Sequence, residues 1–176
     1  PGNNGGDGYA AARHLALWGY DVRCLHAGLP GPACPDAALE ARLAAAGLPL
    51  TDLRTDPAAL SGLLAPCALL VDALFGVGLA RPLGPPWLDV IDALNRAPGL
   101  RVSVDVPSGL DADTGAALPR CVRADVTVAL VAAKRGYAPG APGARFAGTV
   151  VAADIGLPRH LLGHLLGHSL AQEGGP

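Results

Sequence analysis

Methionine is absent from the chain, and lysine nearly so, Lys134 being the single lysine among thirteen basic residues. Aromatic side chains make up 4% of the sequence and charged ones 16%, with a formal net charge of −2. The basic stripe that marks a nucleic-acid surface is therefore missing, and no nucleic acid is expected as a partner. Disorder is excluded as well, because disordered segments combine low hydrophobicity with high net charge and 51% of this chain is hydrophobic. The preference for Ala, Gly, Pro and Arg has the look of a GC-rich coding bias rather than a functional signal. Cys24, Cys34, Cys67 and Cys121 show no CxxC pairing. They read as reduced core thiols of a cytoplasmic protein rather than zinc ligands or a disulfide frame. No signal peptide opens the sequence, and with Pro1 first and no Met anywhere, the natural start is expected to lie ahead of residue 1. One run, residues 59–80, is apolar enough to raise a transmembrane helix. Pro66, Asp72, Gly62, Gly76 and Gly78 interrupt it, and a charge at membrane depth is costly. A buried parallel strand with flanking turns fits better, and no membrane is expected.

What is present is a recurring unit: a short aliphatic run, a Gly/Pro/Asp turn, then an Ala/Leu-rich helical stretch. The 176 residues suit one domain. Residues 7–18 predict a helix with Ala11, Leu15 and Trp18 on one face, stopped by Gly19. Residues 21–26 predict a strand, and Asp36 is expected to cap a helix running to about Ala45. Ser61 opens a short turn, and residues 68–75 form a continuous apolar strand with one carboxylate inside it. Pro85 and Pro86 start a helix over residues 87–95. Further strands are expected at 101–106, 125–132 and 146–151, and a Leu/His helix from Arg159 to about Ala171. Strands apolar on both faces and alternating with helices imply a parallel sheet covered on both sides. The domain is read as residues 1–158, with 159–176 as a C-terminal helix and flexible tail. His160, His164 and His168 recur every four residues there; with no carboxylate nearby they read as a solvated helix face rather than a metal site.

Three polar stretches interrupt this pattern. The first is Pro1-Gly2-Asn3-Asn4-Gly5-Gly6-Asp7-Gly8, directly before a helix. Glycines let a backbone turn sharply and approach a ligand, and a helix N-terminus favours phosphate. The stretch is neither a Walker loop nor the GxGxxG fingerprint, yet two amides and an Asp among the glycines add directed oxygens. The second is Val71-Asp72-Ala73-Leu74-Phe75-Gly76-Val77-Gly78-Leu79-Ala80-Arg81-Pro82. A carboxylate in an apolar strand is expensive unless it is hydrogen-bonded or holds a cation, and both readings stay open for Asp72. The third is Ser103-Val104-Asp105-Val106-Pro107-Ser108-Gly109-Leu110-Asp111. It again places a carboxylate at a strand end, and Ser108 lacks the GxSxG setting of a nucleophile elbow. Loops at the carboxyl ends of separate strands converge on one edge of an open α/β sheet, where such sheets bind ligands.

The segments PGNNGGDG, VDALFGVGLARP, VDVPSGLDADTG, the A-x-K step at Ala132 to Lys134, and the closing VVAADIGLP together resemble the YjeF N-terminal family, the NAD(P)H-hydrate epimerases. The resemblance runs in order over about residues 2–158. It implies an α/β, Rossmann-like three-layer sandwich with a mostly parallel sheet. Relatives carry a helix and a first strand ahead of the Gly-rich loop, so the domain is expected to lack its N-terminal helix and first strand. By position, the resemblance makes Asn3, Asn4, Gly5, Gly6 and Asp7 one substrate loop. Gly76, Val77, Gly78, Leu79, Ala80, Arg81 and Pro82 become a second, and Asp105 a further substrate contact. Asn4, Asp72 and Ser108 match potassium ligands; an amide, a carboxylate and a hydroxyl are hard oxygen donors suited to a hard cation.

The implied reaction is inversion at the hydroxyl-bearing ring carbon of NADHX or NADPHX, the hydrated nicotinamide cofactors, as metabolite repair. Such inversion needs proton movement at the hydroxyl and stabilisation of an open or cationic intermediate. Asp105 is the first candidate for acid/base work. Lys134 is the second, although a lysine after an apolar strand also reads as a solvated end. Two other readings stay open: a non-catalytic binding module of the same fold, and the front half of a bifunctional epimerase/dehydratase. Retention of Asn4, Asp72, Asp105 and Ser108 favours the enzyme. A homodimer, and a fused or separate ADP- or ATP-dependent dehydratase, are both compatible with the family.

Overall fold

A computed structural model describes residues 2–53, 60–79 and 81–158. In chain order the elements are α1 (Asn3–Leu17), β1 (Cys24–His26), α2 (Pro35–Ala45), β2 (Leu50–Asp52), α3 (Leu60–Leu64), β3 (Leu69–Asp72), α4 (Trp87–Arg96), β4 (Leu100–Val104), β5 (Val126–Leu130), α5 (Ala144–Ala147) and β6 (Thr149–Ala153). All strand pairs are parallel: β3, β4, β5 and β6 form one sheet in that order, and β1 pairs with β2 in a second. Consecutive parallel neighbours bring the carboxyl ends of β3, β4 and β5 to one edge, and the polar stretches read from the sequence follow two of those ends. Alternation of helix and parallel strand is the α/β class expected, divided here into two sheets.

The α4 helix shows how the pattern becomes packing. Val90, Ile91, Ala93 and Leu94 are buried along one side and share a core with Leu60, Leu64 and Leu70. Each fully buried Val, Ile or Leu side chain is worth roughly 1.5–3 kcal/mol relative to an exposed one, so this cluster anchors the helix whose first residue, Trp87, reaches the site. A second core gathers Val106, Leu110, Ala129 and Tyr137 behind the ends of β4 and β5.

Several sequence expectations need correction. The Gly-rich opening is not a loop: Asn3 to Asp7 are the first turns of α1. Its glycines serve close packing rather than chain reversal, since a Cβ on Gly6 would lie 2.7 Å from Ala37 and one on Gly8 would lie 2.6 Å from the Ala73 Cβ. The buried side of α1 is Gly6, Tyr9 and Ala12, not the Ala11–Leu15–Trp18 stripe, and Trp18 is exposed. Small residues let α1 approach the alanine face of α2, Ala37, Ala41 and Ala44. Asp36 lies inside the first turn of α2, while Cys34 occupies the cap position without a side-chain bond; Pro35 pre-sets the helical φ. Residues 144–147 form α5, so the last strand begins at Thr149, after Gly148 at φ 59. A Cβ on Gly148 would stand 2.3 Å from the Asp125 carbonyl, so only glycine lets the chain re-enter the sheet there. The β2 strand went unread, because its three residues carry no periodicity. The predicted tail helix and its histidines lie outside the described residues.

Candidate active site

A cavity of about 980 Å³ opens at the carboxyl edge of the larger sheet. The start of α1 contributes Gly2, Asn3, Asn4 and Asp7, the loop after β3 contributes Leu74 to Leu79 with Arg81 and Pro82, and the end of β4 contributes Asp105. Leu83, Gly84 and Trp87 complete the lining. The lining combines polar side chains with apolar surface, in which Phe75 and Trp87 meet edge to face with centroids 4.8 Å apart. The first backbone N–H groups of a helix have no intrahelical acceptor, and those of α1 begin at this cavity, so its rim is suited to an anion.

Asp72 lies behind the wall, 2% exposed. Its Oδ2 accepts hydrogen bonds from Ser103 Oγ at 2.8 Å and from the Ser108 backbone N–H at 2.8 Å. Oδ1 accepts from Leu74 N–H at 3.4 Å. Burial pushes this carboxyl above its ordinary range, and the bonds from Ser108, Ser103 and Leu74 oppose the shift. Ser108 Oγ in turn accepts from Phe75 N–H at 2.9 Å, so one carboxylate and one hydroxyl tie the loop after β3 to the loop after β4. Asn4 Nδ2 is buried with no hydrogen-bond partner. Gly76 leaves room for that amide, since a Cβ there would come within 3.2 Å of Asn4 Cγ.

Asp105 has a different setting. Its Oδ1 accepts from Leu130 N–H at 3.1 Å and forms an ion pair with Lys134 Nζ. The ammonium also donates to the carbonyls of Leu130 at 2.8 Å and Ala132 at 3.1 Å. Lys134 is thus no solvated strand end but a fixed partner of the carboxylate at the cavity. Asp7 joins this pair electrostatically: burial, and secondly the negative charge of Asp105, push its carboxyl above the ordinary value. Two carboxylates and one ammonium at a cavity edge can hold and move a proton, which is the equipment of acid/base chemistry.

The structure brings Asn3, Asn4, Asp7, Gly76 to Leu79, Arg81, Pro82 and Asp105 to one cavity wall. Asp72, Ser108 and Lys134 stand behind it. Gly5 and Gly6 of the expected substrate loop do not line the cavity, because Gly6 is buried at the contact with α2. Ala80 lies outside the described residues. Ser103, the hydroxyl partner of Asp72, stood in a quoted motif without a role; its place in an aliphatic run marks a strand but says nothing of the neighbouring strand. Trp87 read only as a helix start, and its aromatic ring after two prolines was the signal available.

A family model described as YjeF-related protein N-terminus matches residues 1–136. The chain is 40% identical over 158 residues to the NAD(P)H-hydrate epimerase of Levilactobacillus brevis, covering 89% of this chain and 69% of that protein. It is 38% identical over 163 residues to the NAD(P)H-hydrate epimerase of Rhodopirellula baltica, covering 92% of this chain and 65% of that protein. To the bifunctional NAD(P)H-hydrate repair enzyme of Thermofilum pendens it is 40% identical over 164 residues, 92% of this chain but 31% of that protein. The chain therefore spans between about a third and about two thirds of the length of these relatives. In three dimensions it is similar to the crystal structure of a yeast protein, YNL200c, with a TM-score of 0.76 and 27% identity, covering 95% of this chain and 68% of that one.

Proposed function

The chain belongs to the YjeF-related N-terminal family, and from that premise we propose that it is an NAD(P)H-hydrate epimerase, interconverting the R and S epimers of NADHX and NADPHX. The observation that carries the reading is that Asp105, ion-paired with Lys134 from behind the wall, faces the same cavity as Asp7 and the N-terminus of α1. In the substrate, water has added across a double bond of the dihydronicotinamide ring, leaving a hydroxyl on the carbon next to the ring nitrogen. Asp105 takes the hydroxyl proton as the carbon–nitrogen bond opens, and the bond's electron pair passes to nitrogen and its conjugated carboxamide. The resulting carbonyl turns over and is attacked by the ring nitrogen from the other face, and the proton returns to oxygen. Lys134 holds Asp105 in place and offsets charge. The N–H groups that open α1 bind a phosphate of the nucleotide, and Phe75 and Trp87 offer apolar surface to a planar ring.

Asn4, Asp72 and Ser108 are the residues that would hold potassium, which supplies charge neutralisation between the loops. Supporting this assignment, the Asn4 amide has a buried atom with no protein partner. With its amide turned over, Asn4 would offer an oxygen to join the carboxylate of Asp72 and the hydroxyl of Ser108 in a hard donor set for a hard cation. The reading carries with it a cytoplasmic setting, a place for a homodimer, and an ADP- or ATP-dependent dehydratase, fused or separate, that consumes one epimer. Among the described residues no helix is long and apolar enough to cross a membrane. The test is conversion of purified R-NADHX to the S epimer, followed by chromatography and corrected for spontaneous inversion. No acceleration above the uncatalysed rate would sink the assignment.

A further inference from the structure

Among the described residues two non-glycine positions have positive φ, Asp105 at 66° and Val131 at 71°. They follow the ends of neighbouring parallel strands, and in both the next N–H reaches back two residues. Val106 donates to the Val104 carbonyl at 2.8 Å, and Ala132 to the Leu130 carbonyl at 2.9 Å. Both are thus γ-turns of the rare, positive-φ kind, which are strained, and a β-branched valine is poorly suited to one. Such conformations persist only where the surroundings over-determine them.

The surroundings of Asp105 are specific. Its N–H donates to the Val128 carbonyl at 2.8 Å, and its own carbonyl accepts a hydrogen bond from the Tyr137 hydroxyl. Tyr137 is 1% exposed. Burial, with help from the Asp105 charge, pushes its hydroxyl up to about 12, so it remains a donor at any physiological pH. Tyr137 belongs to the turn that begins at Lys134, its N–H donating to the Lys134 carbonyl at 3.1 Å. One short turn therefore delivers an ammonium to the Asp105 side chain and a hydroxyl to the Asp105 backbone. The second strained turn, at Val131, aims the Leu130 and Ala132 carbonyls at the same ammonium.

We propose that Tyr137 is a positioning residue, a latch that holds the strained turn at Asp105 so that its carboxylate stays at the cavity with one oxygen on Lys134. The consequence for rate rests on the epimerase reading above. Without the hydroxyl, the Asp105 carbonyl loses its buried partner and the turn can relax toward extended φ. Extension would swing the carboxylate away, since successive side chains of an extended chain point to opposite faces.

The test is Tyr137→Phe in the full chain, which removes one oxygen and keeps the ring. Displacement of a catalytic group by about 1 Å can cost on the order of 10²-fold in rate, so kcat is expected to fall roughly 10–100-fold with KM unchanged. Hydrogen exchange at the Val106 amide should quicken about tenfold while the Val150 and Val151 amides of β6 keep their protection. An unchanged kcat, or exchange that rises equally across β6, would overturn the proposal, the latter because it signals general loss of stability. If the variant does not fold, exchange in the wild type decides: a Val106 amide as protected as those of β5 supports the latch, and a freely exchanging one refutes it. If the wild type shows no epimerase activity, the functional reading falls, and exchange at Val106 by itself decides whether Tyr137 holds the turn.

Discussion

Asp72 and Asp105 are the same side chain at the ends of neighbouring parallel strands, and they meet opposite environments. Asp72 is the last residue of β3 and is enclosed by neutral donors, Ser103, Ser108 and Leu74. Asp105 lies one residue past β4, in a strained turn, and meets the charge of Lys134 at the edge of a cavity. The first arrangement joins two loops; the second leaves a carboxylate in reach of a ligand. Neutral hydrogen bonds make Asp72 a brace between loops, whereas the Lys134 ion pair holds Asp105 at the cavity.

Asp105→Asn should produce the largest effect. Asparagine keeps the shape but cannot exchange a proton near neutral pH, so the rate of the proposed epimerisation should fall about 10²–10⁴-fold with the proposed nucleotide binding kept. If Asp105→Asn retains the rate and Lys134→Ala does not, the roles of the pair are reversed.

Asp72→Ala should act on stability instead. It leaves Ser103 Oγ and the Ser108 N–H buried without their acceptor, at about 1–3 kcal/mol for each orphaned group. Urea unfolding measures this, and a loss of rate at unchanged stability would erase the contrast between the two carboxylates. A smaller effect concerns the cation. Melting in potassium against a large organic cation should raise the wild-type midpoint, by about 2.7 kcal/mol in stability at a hundredfold excess over Kd. The same comparison should leave Asp72→Ala unmoved, and an equal response in both proteins would remove Asp72 from the site.

The smallest effect is electrostatic. The Asp7 carboxyl is raised by burial first and by the Asp105 charge second, so Asp105→Asn should lower its titration midpoint without returning it to the ordinary 3.8. Because the folded value is the higher one, the protonated form is favoured in the fold. Its contribution to stability is present below the ordinary value and lost as pH rises through the folded one. Carboxyl NMR titration reads this, and an Asp7 midpoint indifferent to Asp105→Asn would separate the two groups.

Much of the site was legible because its residues break the local pattern. A carboxylate in an apolar strand, as at Asp72, is anomalous on burial grounds alone, and Asp105 and Ser108 stand in a polar stretch directly after an aliphatic run. The glycines misled, because the same residue serves a sharp turn and a close helix contact; Gly6 does the second, which depends on Ala37 arriving from α2. Tyr137 could not be read, since its partner Asp105 is thirty-two residues away. Val131 looked like an ordinary strand residue, and its positive φ is set by hydrogen bonds to β6 and across its own turn.

By itself the sequence determined the alternation of helix and parallel strand, and the gathering of polar loops at strand ends. Both follow from periodicity, turn chemistry and the cost of burying charge, which act over a few residues. Only the tertiary structure decided which carboxylate meets the Lys134 ammonium and which meets hydroxyls and backbone N–H groups, and whether a glycine bends the chain or admits a neighbouring helix. Those outcomes depend on groups brought together from distant parts of the chain, where the register of adjacent strands, not local preference, selects each side chain's partner.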